Sequence, residues 1–271
     1  FTPVDSNDAL EIQHLAILNH FYSFFSGKPS VYLFDGPEFV KTFKKFENVL
    51  SANDIFQLYQ GLLDSAAGEV SIDAAFNALN KVTRKNYSQF EYVGSENPKT
   101  VFVVYGTHQS TQLSQIVSKL DVGLVKVRVP VPFNQEKLVQ VIPQSTKKLV
   151  VLSSNDGLMA DVTAGLFLGG RYHSLSLDEF NYPLDFKWTP VTVTKLLNEF
   201  VSLDFEKIFP VVKPADEILT ANSSPEGSYL FWGKDNGIIV DTVDKLALSL
   251  SLDNSKNVAI RNTFDNGNGG G

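Results

Sequence analysis

The residues of this chain that could do chemistry form no recognisable catalytic or metal-binding pattern. Its histidines are His14, His20, His108 and His173. No two of them have the spacing of metal ligands or the intervening acid of a zincin motif. The chain also has no cysteine, which excludes disulfides, thiolate metal sites, iron–sulfur clusters and cysteine nucleophiles within this stretch. Each histidine is therefore expected to be a structural or surface side chain.

The corner that begins at Gly106 is the strongest candidate for a ligand site. The apolar run Val101–Tyr105 ends at Gly106 and predicts a buried parallel strand, and Thr107 fits the N-cap of a helix over Gln109–Lys119. Ligands collect at the carboxyl ends of parallel strands, and free amides at a helix start attract anions. Gly106, Thr107 and His108 are therefore a candidate contact for an anion or a partner. The alternative is that this corner only caps the helix.

Three other features favour structural roles. The segment Gly233–Gly237 follows an apolar run, but it lacks both the three-glycine dinucleotide spacing and the Lys-Ser/Thr of a P-loop, so we expect a turn. Asp35 is a lone acid with no acid, base or metal partner nearby in sequence. Arg128 and Arg171 could clamp an anion or pair with carboxylates across the fold. The residues alone therefore predict no catalytic, cofactor-binding or metal-binding side chain.

Composition and charge limit the partners. The 271 residues are 43% hydrophobic and 20% charged, as in an ordinary globular protein. The net charge is -7 and the basic residues are scattered, which argues against a nucleic-acid surface. No stretch approaches the roughly 20 apolar residues that cross a bilayer, and the first residues do not resemble a signal peptide. We expect a soluble, cytoplasmic chain with neither nucleic-acid nor membrane partners.

Apolar runs and turn signals alternate along the chain in the order typical of an α/β protein. Leu10–Phe25 predicts a helix, Ser30–Phe34 a short buried strand, and residues 38–86 a connector of short helices. A β-α-β-α-β-α unit of about 110 residues follows. Its predicted strands are Val101–Tyr105, Val122–Val129 and Lys148–Leu152, and its later helices are a short one after Asn134, Asp156–Gly169 and one that begins at Thr189-Pro190. Such alternation predicts a mostly parallel sheet with helices on both faces.

Three domain pieces are predicted, and the chain is expected to be part of a longer polypeptide. The proline-containing segment Val211–Pro225 predicts a linker, after which Tyr229–Gly233 begins another strand. The predicted pieces are residues 1–86, the tail of a first domain with its connector; 87–210, a complete α/β domain; and 211–271, the linker and the start of a third domain. The absence of an initiator Met and the terminal Gly269–Gly271 favour this expectation of a longer parent.

Several segments resemble successive pieces of the pyruvate:ferredoxin and related 2-oxoacid oxidoreductases. Leu10–Ala16 and Ser30–Gly36 (SVYLFDG) are similar to the end of that family's thiamine-diphosphate-type domain. Its second, transketolase-C-terminal-like domain is resembled by Tyr92–Gly106 (YVGSENPKTVFVVYG), Val122–Phe133 and Ile142–Leu152. Phe231–Lys245 (FWGKDNGIIVDTVDK) resembles the start of its third, Rossmann-like domain. The resemblance implies an α/β fold with a transketolase-C-terminal-like centre and partial thiamine-type and Rossmann-like pieces.

The details of the resemblance indicate a degenerate branch of that family. In Phe231–Lys245 the second glycine of the family and its Gly-Thr-Val-Gly are replaced, and without them the backbone approach to a phosphate is closed. The segments Phe90–Leu152 and Asn257–Asn266 (NVAIRNTFDN) are similar to the N-terminal region of fungal, yeast-type NADPH-dependent sulfite reductase flavoprotein (alpha) subunits. The resemblance to the 2-oxoacid oxidoreductases covers most of the chain, excluding the connector between about residues 38 and 86.

The resemblance to the sulfite reductase subunits implies a function for the parent enzyme. In that family, electrons pass from NADPH through FAD and FMN to a hemoprotein (beta) subunit that reduces sulfite to sulfide. The implied partners are the hemoprotein subunit and a downstream flavin-reductase domain of the same chain. No cofactor is expected in this segment, whose expected role is that of a non-catalytic scaffold. The alternative is a fragment of a genuine thiamine-diphosphate-dependent 2-oxoacid:acceptor oxidoreductase.

Overall fold

The amino-terminal part of the chain folds as three packed helices. The structure is a computed structural model that describes residues 1–5, 8–33, 49–65, 69–154, 157–183 and 186–202. All of these residues fall within one compact unit, Phe1–Pro210. The predictions for Asp35, for Gly233–Gly237, for the linker Val211–Pro225 and for the third α/β piece lie outside the described residues.

Helices α1 (Ala9–Ser26), α2 (Ala52–Ser65) and α3 (Ile72–Thr83) bury their apolar faces against one another. The carboxylate of Asp8 accepts the first free amides of α1, and Gly27 ends that helix at φ 66°. Where the connector is described, its predicted short helices are confirmed. The strand predicted at Ser30–Phe34 is wrong over residues 30–33, which have no regular structure. The N–H of Leu33 donates to the carbonyl of Phe1 and the amino group of Phe1 donates to the carbonyl of Val31, but two bonds to one residue do not amount to a ladder.

A five-stranded sheet forms the centre of the described unit. Its strands are β1 (Phe90–Gly94), β2 (Thr100–Tyr105), β3 (Gly123–Val127), β4 (Lys148–Ser153) and β5 (Ser176–Asn181). They lie in the order β1-β3-β2-β4-β5, and only β1 runs antiparallel to its neighbour. The three central strands, β3, β2 and β4, are rich in β-branched residues and almost wholly buried, as expected for a sheet covered on both faces. The predicted α/β class with a mostly parallel sheet is confirmed.

The helices that follow the strands cover opposite faces of the sheet. Helices α4 (Thr107–Val117) and α7 (Pro190–Phe200) pack on one face, and α5 (Gln135–Val141) and α6 (Leu158–Leu168) pack on the other. The chain moves one way across the sheet from β2 to β3 and the other way from β3 to β4. Right-handed crossovers in opposite directions require opposite faces. No helix in the described ranges is both long and apolar enough to span a membrane.

Candidate functional site

The carboxyl ends of the parallel strands lie together at one edge of the sheet. In the strand registers Tyr105 is paired with Val127, and Val104 with Leu152. The connection after β2 passes to one face of the sheet and the connection after β4 to the other. Such a topological switch point is where open α/β sheets bind their ligands. The side chains at this edge are therefore the candidate site.

A buried ion network follows the end of β3. The guanidinium of Arg128 donates through Nε to Glu11 Oε1 at 2.8 Å, through Nη2 to Glu91 Oε2 at 2.5 Å and through Nη1 to the carbonyl of Ser88 at 2.7 Å. Lys126 also pairs with Glu91. Two cations thus face two carboxylates. Of the two roles that the sequence left open for Arg128, the structure shows the pairing with carboxylates across the fold.

The pKa values in this network follow from burial and from its pairings. Burial raises the pKa of Glu11 above its ordinary value, although Arg128 opposes the shift. Burial would also raise the pKa of Glu91, but Arg128 and Lys126 together hold it below its ordinary value. The second oxygen of Glu11 accepts the backbone N–H groups of Val4 and Asp5 at 3.3 and 3.0 Å. The network therefore binds the first residues of the chain.

Residues 1–5 cover the carboxyl ends of β2 and β3. The N–H of Thr2 donates to the carbonyl of Arg128 at 2.8 Å, and the Thr2 hydroxyl donates to the hydroxyl of Tyr105 at 3.3 Å. Thr2 and Val4 are both buried. The part of the edge between β2 and β3 is thus occupied by the chain's own residues.

His14 lies beside this network with a structural contact. Its Nδ1 is 2.9 Å from the hydroxyl of Tyr87, over whose ring the guanidinium of Arg128 lies at 5.3 Å. Burial lowers the pKa of His14, so the imidazole is neutral at pH 7. Its Nε2 is buried and has no hydrogen-bond partner within the described ranges. His14 therefore fits the predicted structural role.

The other histidines differ in exposure and position. His20 and His173 are exposed, and His108 is half-buried. No group of three potential metal ligands occurs in the part of the chain that the structure describes.

The corner at Gly106 differs in detail from the prediction. Gly106, at φ 112° and ψ 144°, is the N-cap, and Thr107 is the first helical residue, so the prediction of Thr107 as the N-cap is wrong. A residue without Cβ adopts this positive φ at little cost, which fixes the start of the helix one residue earlier. The three predicted residues remain contiguous there, with His108 in the second helical position.

Two further residues, Gln109 and Ser110, belong to the same corner. Ser110 and Gln109 join Thr107 in carrying buried side-chain oxygens that have no hydrogen-bond partner among the described residues. The spacing of Thr107 and Ser110, three apart, places them on one face of a helix and could have revealed the pair.

Arg171 binds backbone carbonyls and has no carboxylate partner among the described residues. It donates from Nη1 to the carbonyl of Ile142 at 2.8 Å and from Nη2 to that of Pro143 at 3.1 Å. Burial lowers its pKa. Its role is to tie the end of α5 to the segment that follows α6.

Comparisons with known proteins place this architecture among redox proteins. No protein-family model matches the chain. It is 31% identical, over 98% of its length, to the sulfite reductase (NADPH) flavoprotein component of Saccharomyces cerevisiae, and 23% identical, over 98%, to a probable one of Schizosaccharomyces pombe. It covers 24% and 26% of those proteins, about a quarter of their length. A pyruvate-flavodoxin oxidoreductase of Nostoc sp. is 27% identical over 45% of the chain and 36% of that protein.

Both resemblances found in the motifs are confirmed by these relatives, whose names are those of oxidoreductases. Over nearly its whole length the chain is related to a segment of the sulfite reductase flavoprotein components, and over less than half of it to the pyruvate-flavodoxin oxidoreductases.

Proposed function

We propose that this chain is a non-catalytic scaffold segment of an NADPH-dependent sulfite reductase flavoprotein. In the proposed parent enzyme, electrons pass from NADPH through FAD and FMN to a hemoprotein subunit that reduces sulfite to sulfide. The similarity to the two yeast flavoprotein components supports this parentage. The observation that carries the scaffold role is that residues 1–5 occupy the carboxyl edge between β2 and β3, beside the switch point between β2 and β4.

An occupied edge argues against catalysis there for two reasons. A substrate or cofactor would have to displace Thr2 from the carbonyl of Arg128, together with the packing of Val4. It would also meet no surplus positive charge, because Arg128 and Lys126 are both paired with carboxylates. Moving residues 4 and 5 would also take two N–H donors from the buried carboxylate of Glu11, which is costly.

The proposed role of the retained sheet is to hold other parts of the enzyme together. A folded segment between a flavin-reductase domain of the same chain and the hemoprotein subunit would raise the effective concentration of one at the other. The division into pieces 1–86, 87–210 and 211–271 and a cytoplasmic location belong to the same proposal.

A deletion of this segment from the full-length parent tests the proposal. The deleted enzyme should reduce an artificial electron acceptor with NADPH at the normal rate, because the proposed flavin module lies elsewhere. It should reduce sulfite more slowly and co-purify with less hemoprotein subunit. Sulfite reduction and assembly at the normal level in the deleted enzyme would contradict the scaffold role.

The partial similarity to pyruvate-flavodoxin oxidoreductases supports a second candidate, a thiamine-diphosphate-dependent 2-oxoacid:acceptor oxidoreductase. Titration calorimetry of the full-length parent with thiamine diphosphate separates the two. The scaffold should give only the heat of dilution, whereas saturable heat would favour the second candidate.

A further inference from the structure

We infer that the corner formed by Gly106–Ser110 binds a small inorganic oxyanion, of the size and shape of sulfate. This inference goes beyond the scaffold role and does not depend on it. The corner lies at the carboxyl end of β2, on the side of α4. The contacts of Thr2 cover the neighbouring part of the edge, between β2 and β3.

Two buried hydroxyls at this corner lack hydrogen-bond partners. Thr107 is 1% exposed and Ser110 is 0% exposed, and neither hydroxyl oxygen has a partner in the described part of the chain. A buried polar atom without a partner is rare because its lost hydration is not replaced. Two of them three residues apart in the first turns of one helix indicate that a ligand supplies the missing acceptors.

The other hydroxyls of α4 show that this condition is not general. Thr111 and Ser114 donate to the carbonyls of Thr107 and Ser110, one turn back, at 2.8 and 2.7 Å. This is the usual arrangement for hydroxyl side chains inside helices. Ser110 could donate in the same way to the carbonyl of Gly106, which instead accepts only the backbone N–H of Ser110.

The start of α4 adds donors and no negative charge. No side chain caps this helix, and no acidic residue lies in its first turn. The first N–H groups of a helix have no intrahelical acceptors, and the helix dipole favours an anion beside them. Helix α6 begins in a similar way at Gly157 but carries Asp161 in its first turn, so its start already has a carboxylate.

Gln109 and Gly106 complete the corner. The side-chain oxygen of Gln109 is buried without a partner, and it lies so near Gly106 that a Cβ there would approach it to 2.4 Å. The carboxamide is therefore folded back over the helix start. A carboxamide can turn its NH₂ group toward an anion.

The buried ammonium group of Lys126 lies on the face of the sheet that α4 covers. Lys126 is paired in register with Val104, and the side chain of Val104 packs in the cluster to which α4 contributes. Laterally paired residues point to the same face, so Lys126 also lies on the α4 side. Its ammonium group is paired with Glu91, so this face gains no negative charge from the carboxylate beside it.

The test is a titration of the 271-residue chain with sodium sulfate, followed by the amide signals in NMR spectra against sodium chloride at equal ionic strength. The amides of Thr107–Ser110 should shift and saturate, while those of the first turn of α6 should not. Equal shifts at both helix starts, or none at Thr107–Ser110, would overturn the inference.

Two variants remove the hydroxyls with little change of shape, Thr107→Val and Ser110→Ala. Each should weaken sulfate binding about tenfold, the loss expected for one hydrogen bond to a charged group. Without sulfate, neither should melt at a lower temperature than the unaltered chain, because each removes a buried, unpaired polar atom. Sulfate affinity equal to that of the unaltered chain in both variants would contradict the site.

The matched control is Ser114→Ala, one turn further along the same helix. Its hydroxyl already bonds within the helix. Sulfate affinity should therefore stay unchanged in this variant. A tenfold loss in Ser114→Ala would assign the effect to the helix as a whole and overturn the inference.

Discussion

Arg128 is the residue on which most of the buried charge depends. Replacing it with Met, which is similar in length but apolar, leaves Glu11 buried without its cation. We expect Arg128→Met to lower the free energy of unfolding by about 3–5 kcal/mol. Urea denaturation followed by circular dichroism measures the change.

The control for Arg128→Met is Lys85→Met. Lys85 pairs with Asp8 at 3.4 Å, and its side chain is 44% exposed. The free energy of unfolding should change by less than about 1 kcal/mol in this variant. An equal decrease in the free energy of unfolding in the two variants would show that the buried network stabilises the fold no more than an exposed ion pair.

His14 should make the stability of the fold depend on pH. Its pKa is lowered in the folded chain by burial, with Asp8 raising it and Lys85 lowering it as smaller effects. The unfolded chain therefore binds a proton first, and the contribution of His14 is complete above about pH 6.5 and is lost as the pH falls toward the folded pKa. The raised pKa of Glu11 works in the opposite direction.

A variant isolates the effect of His14. Between pH 7.5 and 5.5, the free energy of unfolding should fall less steeply in His14→Phe than in the unaltered chain, as measured by urea denaturation at each pH. Equal slopes would mean that His14 is protonated to the same degree in both states.

For individual side chains, the sequence indicated the kinds of contact but not the partners. The sequence left open whether Arg128 clamps an anion or pairs with a carboxylate, because Glu11 is 117 residues away and no local pattern connects the two. The N-cap at Gly106 was missed by one residue because side-chain preferences favour Thr at that position, whereas the positive φ favours Gly.

Among the elements, helix α7 offers the clearest test of a local signal. Thr189 and Thr192 form a reciprocal capping box, with N to Oγ1 distances of 3.2 and 3.0 Å, and Pro190 is the first helical residue. We expect Thr189→Ala to lower the free energy of unfolding by about 1 kcal/mol. Ser118→Ala, at an exposed position after α4, should change it by less than about 0.5 kcal/mol. Thermal denaturation compares the two, and equal losses would rule out a specific cap.

The strands that are fully buried could be predicted from the sequence, and the half-exposed strands could not. Strands β2, β3 and β4 were predicted because strands buried on both faces are nearly continuous apolar runs, with Lys126 in β3 as an exception. The edge strands β1 and β5 were not, because half-exposed strands such as SLDEFN have no continuous apolar run. The Ser30–Phe34 run is also apolar, but residues 30–33 do not form a strand. A strand needs a hydrogen-bonded neighbour, and the sequence of one segment does not show whether such a neighbour lies beside it.

For the whole molecule, the question is whether the predicted boundary at residue 86 is a real one. The network joins Glu11 in α1 to Arg128 after β3, which crosses that boundary. We expect Arg128→Met to reduce hydrogen-exchange protection in α1 and in β3 by the same factor, because both would open in one cooperative unit. Mass spectrometry of exchanged peptides measures both segments. Loss of protection in α1 alone would support two separate pieces.

The large separation in sequence between Arg128 and Glu11 also has a consequence for synthesis of the chain on the ribosome. Glu11 emerges 117 residues before the arginine that neutralises it, which is roughly 6 to 23 seconds at typical translation rates. During that interval α1 lacks both the arginine that pairs with Glu11 and the sheet that carries this arginine. Nascent chains stalled shortly before residue 128 should therefore be bound by chaperones, and chains stalled well after the sheet has emerged should be released.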